Sequence, residues 1–239
     1  MLPILYQGHD LVIYSYPLLM GIGWGVAYHF FFGLIPQQTT WIKAQLLFWG
    51  IFASAWLGSK ILFYLTLPKD MGLISLNEVS FWTGGGFVFY GGLLGGLLYL
   101  FFYRWKFGLS AELLWPILPA LTFGHAVGRI GCFLAGCCYG APTNWVWGIY
   151  LHNIYRHPTQ IIEVLGLVIL GLYLLCSKKQ KLILLSQYFI SYGILRFFVE
   201  TLRGDEIRGE WGAFTPSQWI SLGLILLGIW TQLRVKSRT

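Results

Sequence analysis

Charge is what this sequence has least of. Of its 239 residues, 10% are charged and 56% are hydrophobic, whereas an average soluble domain carries about 25% charged residues. The composition therefore excludes an ordinary soluble protein. The formal net charge is +7, but no basic face alternates with polar loops, so we expect no nucleic-acid binding. We interpret the charge by position instead, as membrane topology and contact with anionic lipid.

Several signatures of other protein classes are also missing. Residues 1–16 lack a basic n-region, so we expect no cleavable signal peptide. There is no helical His-Glu zinc motif and no nucleophile elbow, and the glycine-rich run 83–96 lacks the lysine of a phosphate loop. Four cysteines, three of them in one short segment, do not make a secreted disulfide framework. We expect neither a cofactor nor a metal.

Hydrophobic runs of about 20 residues, the length that crosses a bilayer, recur along the chain. They predict an all-α integral membrane protein with seven transmembrane helices, near 12–34, 44–67, 84–103, 112–130, 159–176, 182–202 and 216–233. No internal repeat or long linker interrupts them. We therefore predict one transmembrane helical domain over residues 1–239.

The basic residues predict the orientation of these helices. Arg104 and Lys106 follow the third run, lysines lie within 178–181 after the fifth, and the tail 234–238 is basic. With seven spans these clusters share one side, which the positive-inside rule assigns to the cytoplasm. The N-terminus is then outside and the C-terminus cytoplasmic. The segment 141–157, rich in Trp and Tyr, becomes an outer-face belt.

The stretch 123–140 places an arginine within an apolar chain. An ionised guanidinium at membrane depth costs at least about 2.5 kcal/mol, so we expect Arg129 to face a polar cavity and bind an anion. Glycines recur at three to five residues in this stretch. That spacing favours close helix packing or a broken helix that lines a cavity. The alternative is tight packing, with Arg129 extending to the membrane interface.

A second charged cluster follows in the sixth run. Helical spacing predicts that Tyr192, Arg196, Glu200 and Arg203 lie on one stripe. An Arg196–Glu200 ion pair is the simplest interpretation, but it leaves Arg129 with no acid nearby. Two arginines and a single acid predict a net positive site. Because arginine binds phosphate through a planar fork, a phospholipid headgroup is the expected ligand.

The motif HPTQIIE opens the fifth run. Thr159 and Gln160 are expected to satisfy free N–H groups of the first helical turn. His157 or Glu163 could act as a general base, or the whole motif could merely cap the helix, and both interpretations stay open. His125, one turn before the arginine of the fourth run, is a further candidate proton acceptor.

In these segments the chain resembles the bacterial prolipoprotein diacylglyceryl transferase family. The matching segments, in the order and spacing of that family, are YSYPLLMGIGWGVAY, FYGGLLGG, GRIGCFLAGCCYG, HPTQIIE, YGILRFFVETLR and TPSQWISLGLIL. The resemblance implies a multi-pass enzyme of the bacterial plasma (inner) membrane. Such an enzyme moves the diacylglyceryl group of phosphatidylglycerol onto the lipobox cysteine thiol of a prolipoprotein signal peptide. Glycerol phosphate is released at the outer face.

The resemblance also implies residue roles. Arg129 and Arg196 would hold the phosphate, and Glu200 would orient Arg196. It also implies that Tyr16, Gly140 and Tyr192 help to shape the lipid cavity. From the residues themselves, the other expected catalytic residues are His125, His157, Cys132 and Cys137. The other expected substrate-binding residues are Tyr90, Gly91, Gly92, Gln160, Glu163 and Arg203.

The sequence departs from the family at three polar positions. The family usually has histidine where this chain has Tyr90, asparagine at Cys132 and glutamate at Cys137. His125 or His157 would then replace the usual base, or the acceptor would differ. A paralogous phospholipid-dependent transferase with another acceptor is therefore the alternative function.

The cysteines of the signature allow three interpretations. They are packed, reduced thiols, or Cys132, Cys137 or Cys138 is a nucleophile. A disulfide or a soft-metal site is the third. The third interpretation would make the chain a non-enzymatic membrane thiol or metal protein, which leaves the intramembrane arginines unexplained.

Overall fold

The computed structural model describes residues 2–8, 12–66, 88–204 and 212–237. We number the elements of these residues in chain order. The helices are α1 (Ser15–Leu34), α2 (Trp41–Thr66), α3 (Phe89–Phe107), α4 (Ala111–Leu114), α5 (Ile117–Ala135), α6 (Thr159–Cys176), α7 (Lys181–Thr201) and α8 (Pro216–Lys236). The strands are β1 (Ile4–Gln7), β2 (Val12–Tyr14), β3 (Ile149–Leu151) and β4 (Ile154–Arg156).

The helices fall where the sequence predicts transmembrane spans. Five segments of the described chain are long and apolar enough to cross a membrane: Ser15–Leu34, Trp41–Leu65, Glu112–Ala135, Thr159–Cys176 and Lys181–Thr201. The protein is therefore a helical membrane protein. α3 and α8 occupy the third and seventh predicted spans, and the count of seven stays a prediction. The beginning of the third span, 84–87, lies outside the described residues.

The first helix begins later than predicted. α1 starts at Ser15 rather than at residue 12 because Val12–Tyr14 form a strand. This strand pairs antiparallel with Ile4–Gln7, and the Ser15 amide donates to the carbonyl of Pro3 at 3.0 Å. The backbone donors of these residues are thus used in a hairpin, and the span near 12–34 begins three residues later.

The predicted interfacial segment 141–157 contains a second hairpin. β3 and β4 pair antiparallel, with Tyr150 opposite Tyr155. His152 and Asn153 form the turn with φ of 51° and 63°, as a two-residue type I′ turn requires. The all-α prediction included neither hairpin, because both are short and the helical signal around them is strong.

The chain divides into two compact units, Met1–Gly33 with Trp115–Thr239, and Leu34–Leu114. In the first unit α5 packs on α6, α6 on α7, and α7 on α8. Its buried cluster comprises Trp115, Leu118, Leu170, Leu174, Leu184 and Tyr188. α6 thus lies between the two helices that carry the intramembrane arginines. The single domain over 1–239 stays a prediction.

In the second unit, α2 and α3 approach so closely that their backbones touch. A Cβ added to Gly91 would overlap the carbonyl oxygen of Gly58, and one added to Gly95 would overlap that of Ser54. Small residues permit such contact between membrane helices. Gly91 and Gly95 of the glycine-rich run 83–96 therefore allow α2 and α3 to pack closely.

This packing predicts a difference between neighbouring glycines of α3. Gly91→Ala forces the backbones of α2 and α3 apart and should destabilise the protein by about 1–3 kcal/mol. Gly96→Ala is the matched control, because its Cβ would lie 3.9 Å from Ala55. Thermal unfolding in detergent measures both, and an equal change in Tm would contradict the assignment.

Candidate functional site

The buried carboxylate of Glu163 in α6 is the centre of the charged site. Its side chain is 2% exposed and lies between arginines from two other helices. Arg129 Nε in α5 is 2.9 Å from Glu163 Oε2, and Arg196 Nη1 in α7 is 3.5 Å from the same oxygen. The prediction that the two guanidinium groups converge is confirmed.

The charge of the site differs from the prediction. Arg129 does have a neighbouring acid, Glu163, which comes from a different helix. Arg196 Nη2 also lies 2.8 Å from Glu200 Oε2. The charges of these two arginines and two glutamates cancel, so the prediction of a net positive site with a single acid was wrong. Glu163 lies on a different helix from either arginine, so the periodicity of one segment does not indicate this pairing.

The carboxylate of Glu200 is hydrogen-bonded to the N-terminus of α8. Thr215 donates from Oγ1 to Glu200 Oε1 at 3.1 Å and forms a capping box with Gln218. Arg196 Nη2 also donates to Ser217 Oγ at 3.4 Å. These contacts fix the orientation of the Arg196 fork, which supports the predicted positioning role of Glu200.

Several buried polar atoms at this centre lack an aligned hydrogen bond. Arg129 Nε, Arg196 Nη1 and Glu163 Oε1 have ion-pair neighbours but no hydrogen-bond partner among the described residues. Among the residues that the structure describes, the contact of Arg129 Nη1 is a weak one, 3.9 Å to Cys132 Sγ. Because buried polar groups nearly always have a partner, these atoms indicate a site that can accept a polar or anionic ligand.

His125 and Tyr192 border the carboxylate. His125 lies one turn before Arg129 in α5, and its Nε2 is 3.6 Å from Glu163 Oε1. The His125 and Tyr192 rings meet edge to face, with centroids 5.8 Å apart. His125 and Arg129 thus share one face of α5, which places a candidate base beside the ion cluster.

His157 and Gly140 meet in the connections around the second hairpin. The Gly140 amide donates to the carbonyl of His157 at 3.2 Å, and a Cβ at Gly140 would collide with His157. His157 lies beside the ring of Trp145, 5.4 Å between centroids, and its Nδ1 is buried with no hydrogen-bond partner among the described residues. Gly140 is therefore required for a close backbone contact.

Arg203 does not lie on the helical stripe predicted for it. α7 ends at Thr201, and Arg203 forms an isolated antiparallel bridge with Gly140. The stripe prediction was therefore wrong for Arg203. The bridge places this arginine next to the cysteine segment, where it attracts the thiolate form of Cys138.

The three cysteines of the signature converge. The sulfur atoms of Cys132, Cys137 and Cys138 all lie within 4.8 Å of one another, and none forms a disulfide. Hydrogen bonding to Cys132 and Cys137 holds the pKa of Cys138 well below its usual value. Hydrogen bonding to the Cys132 thiol raises the pKa of Cys137. The thiolate form is thus favoured at Cys138 over Cys137.

Thr159 and Gln160 hold this cysteine segment in place. Gln160 Nε2 donates to the carbonyl of Cys137 at 2.7 Å, and Thr159 Oγ1 donates to that of Cys138 at 2.9 Å. The α6 N-terminus has no side-chain cap. The prediction that these two residues satisfy the first turn was wrong, because their side chains donate to carbonyls of another segment.

The glycines of α5 serve helix packing. A Cβ on Gly124 would lie 2.8 Å from the carbonyl oxygen of Gly23 in α1, and one on Gly131 would contact Tyr16. α5 is continuous from Ile117 to Ala135. The predicted close approach of helices at these glycines is confirmed, and the broken helix was wrong. Tyr16 packs against α5 at Gly131, which is two residues after Arg129 in the sequence.

Three predicted substrate-binding residues lie in the second unit. Gly91 and Gly92 face α2, where a Cβ on Gly92 would meet Ser59 Oγ. Tyr90 precedes them and is 39% exposed. Their role in substrate binding stays a prediction.

Comparisons with known proteins point to one family. The family model described as prolipoprotein diacylglyceryl transferase matches residues 3–234. A protein named phosphatidylglycerol–prolipoprotein diacylglyceryl transferase from Clostridium tetani is 38% identical over 72% of this chain and 73% of its own length. One named phosphatidylglycerol–prolipoprotein diacylglyceryl transferase 2, from Clostridium perfringens, is 36% identical over 95% of this chain and 92% of its own. A relative from Pseudoalteromonas atlantica is 33% identical over 94% and 83%.

The ion cluster predicts a large effect of neutralising its central acid. Glu163→Gln keeps the shape but leaves Arg129 and Arg196 less compensated, which should lower the free energy of unfolding by about 3–5 kcal/mol. Glu112→Gln, at an exposed position of α4, is the control and should leave Tm unchanged. A Glu163→Gln protein as stable as wild type would show that the cluster does not hold the helices together.

Proposed function

The chain belongs to the prolipoprotein diacylglyceryl transferase family, and on this premise we propose that it transfers the diacylglyceryl group of phosphatidylglycerol to a cysteine thiol of a prolipoprotein. One observation carries the proposal. The guanidinium groups of Arg129 and Arg196 converge on Glu163 from separate helices and retain N–H groups without an aligned acceptor among the described residues. These are the donors that a phosphodiester requires.

The reaction places new charge on the phosphate. The acceptor thiol loses its proton, its sulfur forms a bond to the glycerol carbon of the diacylglyceryl group, and the carbon–oxygen bond to phosphate breaks. The phosphodiester carries one negative charge, and the departing glycerol phosphate carries a second. Preorganised donors aimed at the position of developing charge lower such a barrier most.

The balanced charge of the cluster suits this role. Glu163 and Glu200 already neutralise the arginines, so the singly charged diester is not held excessively tightly in the ground state. The arginine N–H groups gain strength as the second charge develops. Interactions that are stronger in the transition state than in the ground state raise the rate. Glu163 also lies between the guanidinium groups of Arg129 and Arg196 and thereby sets the distance between them.

His125 is the base that the geometry supports best. Its Nε2 lies near Glu163 Oε1, so the carboxylate can stabilise the imidazolium that forms when His125 accepts the thiol proton. His157 is the second candidate, because its buried Nδ1 has no hydrogen-bond partner among the described residues.

A paralogous transferase with a different acceptor is the second candidate function. The thiols at Cys132 and Cys137, where the family usually has asparagine and glutamate, favour it. Mass spectrometry of lipids and proteins from cells with and without the gene distinguishes the two functions. Loss of diacylglyceryl from lipobox cysteines supports the first, and loss from another molecule supports the second.

The proposed location is the bacterial inner membrane, with the N-terminus and the site toward the outer face. The basic residues after the third and fifth helical runs support this orientation. The exposed rings of Trp145, Trp147, Tyr150 and Tyr155 are typical of an interfacial segment.

Loss of one arginine fork should abolish most of the activity. Arg129→Gln and Arg196→Lys each remove paired donors that lysine or glutamine cannot replace, and the rate should fall by about 10²–10³-fold. Arg234→Gln is the control, because this arginine stacks on Trp230 in α8 at 4.4 Å. The assay combines the purified protein, phosphatidylglycerol and a lipobox peptide, and mass spectrometry detects the thioether product.

That assay has one result that contradicts the proposal. If both arginine variants fold and retain wild-type rates, the convergent forks do not hold the phosphate.

The pH dependence of the same assay should show whether His125 or His157 is the base. If His125 is the base, His125→Asn lowers the rate by about 10²–10⁴-fold and removes the dependence of the rate on the ionisation of that base. His157→Asn then retains the wild-type pH profile. The reverse result would assign the base to His157 instead.

A further inference from the structure

The transfer step described above assigns no role to the thiols of Cys132, Cys137 and Cys138. Their three sulfur atoms lie within 4.8 Å of one another, with Cys132 buried, Cys138 half-buried and Cys137 exposed. The cluster therefore reaches the protein surface at Cys137. We propose that these three cysteines form a binding site for one monovalent copper ion, Cu(I), independent of the transferase reaction.

Hydrogen bonds within the cysteine segment and from side chains of α6 hold the three thiols together. The Cys137 amide donates to the carbonyl of Cys132 at 3.1 Å, and Cys138 adopts a left-handed conformation with φ of 60°. The buried side chains of Thr159 and Gln160 in α6 bind the carbonyls of Cys138 and Cys137. Preorganisation of this kind reduces the entropy lost when a ligand binds.

The number and type of ligands favour Cu(I). Thiolates select soft metals such as Cu(I) and zinc. Structural zinc sites have four ligands, whereas among the described residues this group contains three cysteines and no histidine or carboxylate. The nearby imidazole of His152 is bound to the carbonyl of Gly136 at 3.0 Å. Three-coordinate Cu(I) needs no fourth ligand.

The charge of the complex is compensated by neighbouring arginines. Three thiolates and one Cu(I) carry two negative charges after each thiol releases its proton to solvent. Arg129 Nη1 lies 3.9 Å from Cys132 Sγ. Arg203 is held beside the segment by its bridge with Gly140. The binding step involves no change of oxidation state.

The experiment uses the full chain in detergent, incubated anaerobically with Cu(I) supplied as its bathocuproine disulfonate complex. We expect the wild-type protein to remove about one Cu(I) per chain from the chelator. Cys132→Ser, Cys137→Ser and Cys138→Ser should each lose this binding. Cys176→Ser, at the exposed C-terminal end of α6, should retain it. Thermal unfolding shows that each variant is folded.

X-ray absorption of the copper-loaded wild-type protein tests the site without any substitution. Three sulfur neighbours support the proposal. A nitrogen or oxygen ligand, copper binding that persists in the triple serine variant, or retention of added Zn(II) with none of Cu(I) would overturn it. A free-thiol count below four without bound copper would also overturn it, in favour of a disulfide. Transfer activity is measured separately, so its absence would leave these outcomes unchanged.

Discussion

The ion pairs of Glu163 determine much of the arrangement in the first unit. This carboxylate receives Arg129 from α5 and Arg196 from α7, and α6 lies between those helices. Without it, two buried cations would repel each other at a depth where each is already unfavourable. A buried ion pair adds little net stability compared with apolar packing, yet removal of one partner is strongly destabilising. The cluster is therefore better explained by a requirement for two positioned guanidinium groups than by stability.

Helix packing places this cluster and is achieved with small residues. Gly23 of α1 and Gly124 of α5 bring their helices into backbone contact, and Gly131, two residues after Arg129, lets Tyr16 of α1 pack against α5. The N-terminus of α8 then supplies Thr215 and Ser217 to Glu200 and Arg196. Four helices of the first unit thus contribute to the charged site, and none of them could form it alone.

The sequence predicts the elements of this fold far better than the contacts between them. α6 matches its predicted span from residue 159 to 176, because a long apolar run with a motif at its start has one interpretation. The pairing of Glu163 with two arginines depends on how three helices pack, and periodicity along one segment carries no such information. The hairpins were missed for another reason. Strand pairing of three or four residues leaves little pattern, although the His152–Asn153 pair is a turn signal.

The thiol cluster adjoins the ion cluster through Arg129, whose Nε faces Glu163 and whose Nη1 faces Cys132. The charge that faces Nη1 therefore depends on the state of the thiols. Neutral thiols attract the guanidinium weakly and leave it to Glu163 and a phosphate. Thiolates, whether deprotonated or bound to a soft metal, attract it strongly. The thiol cluster therefore exerts an electrostatic influence on Arg129 that changes with chemical conditions.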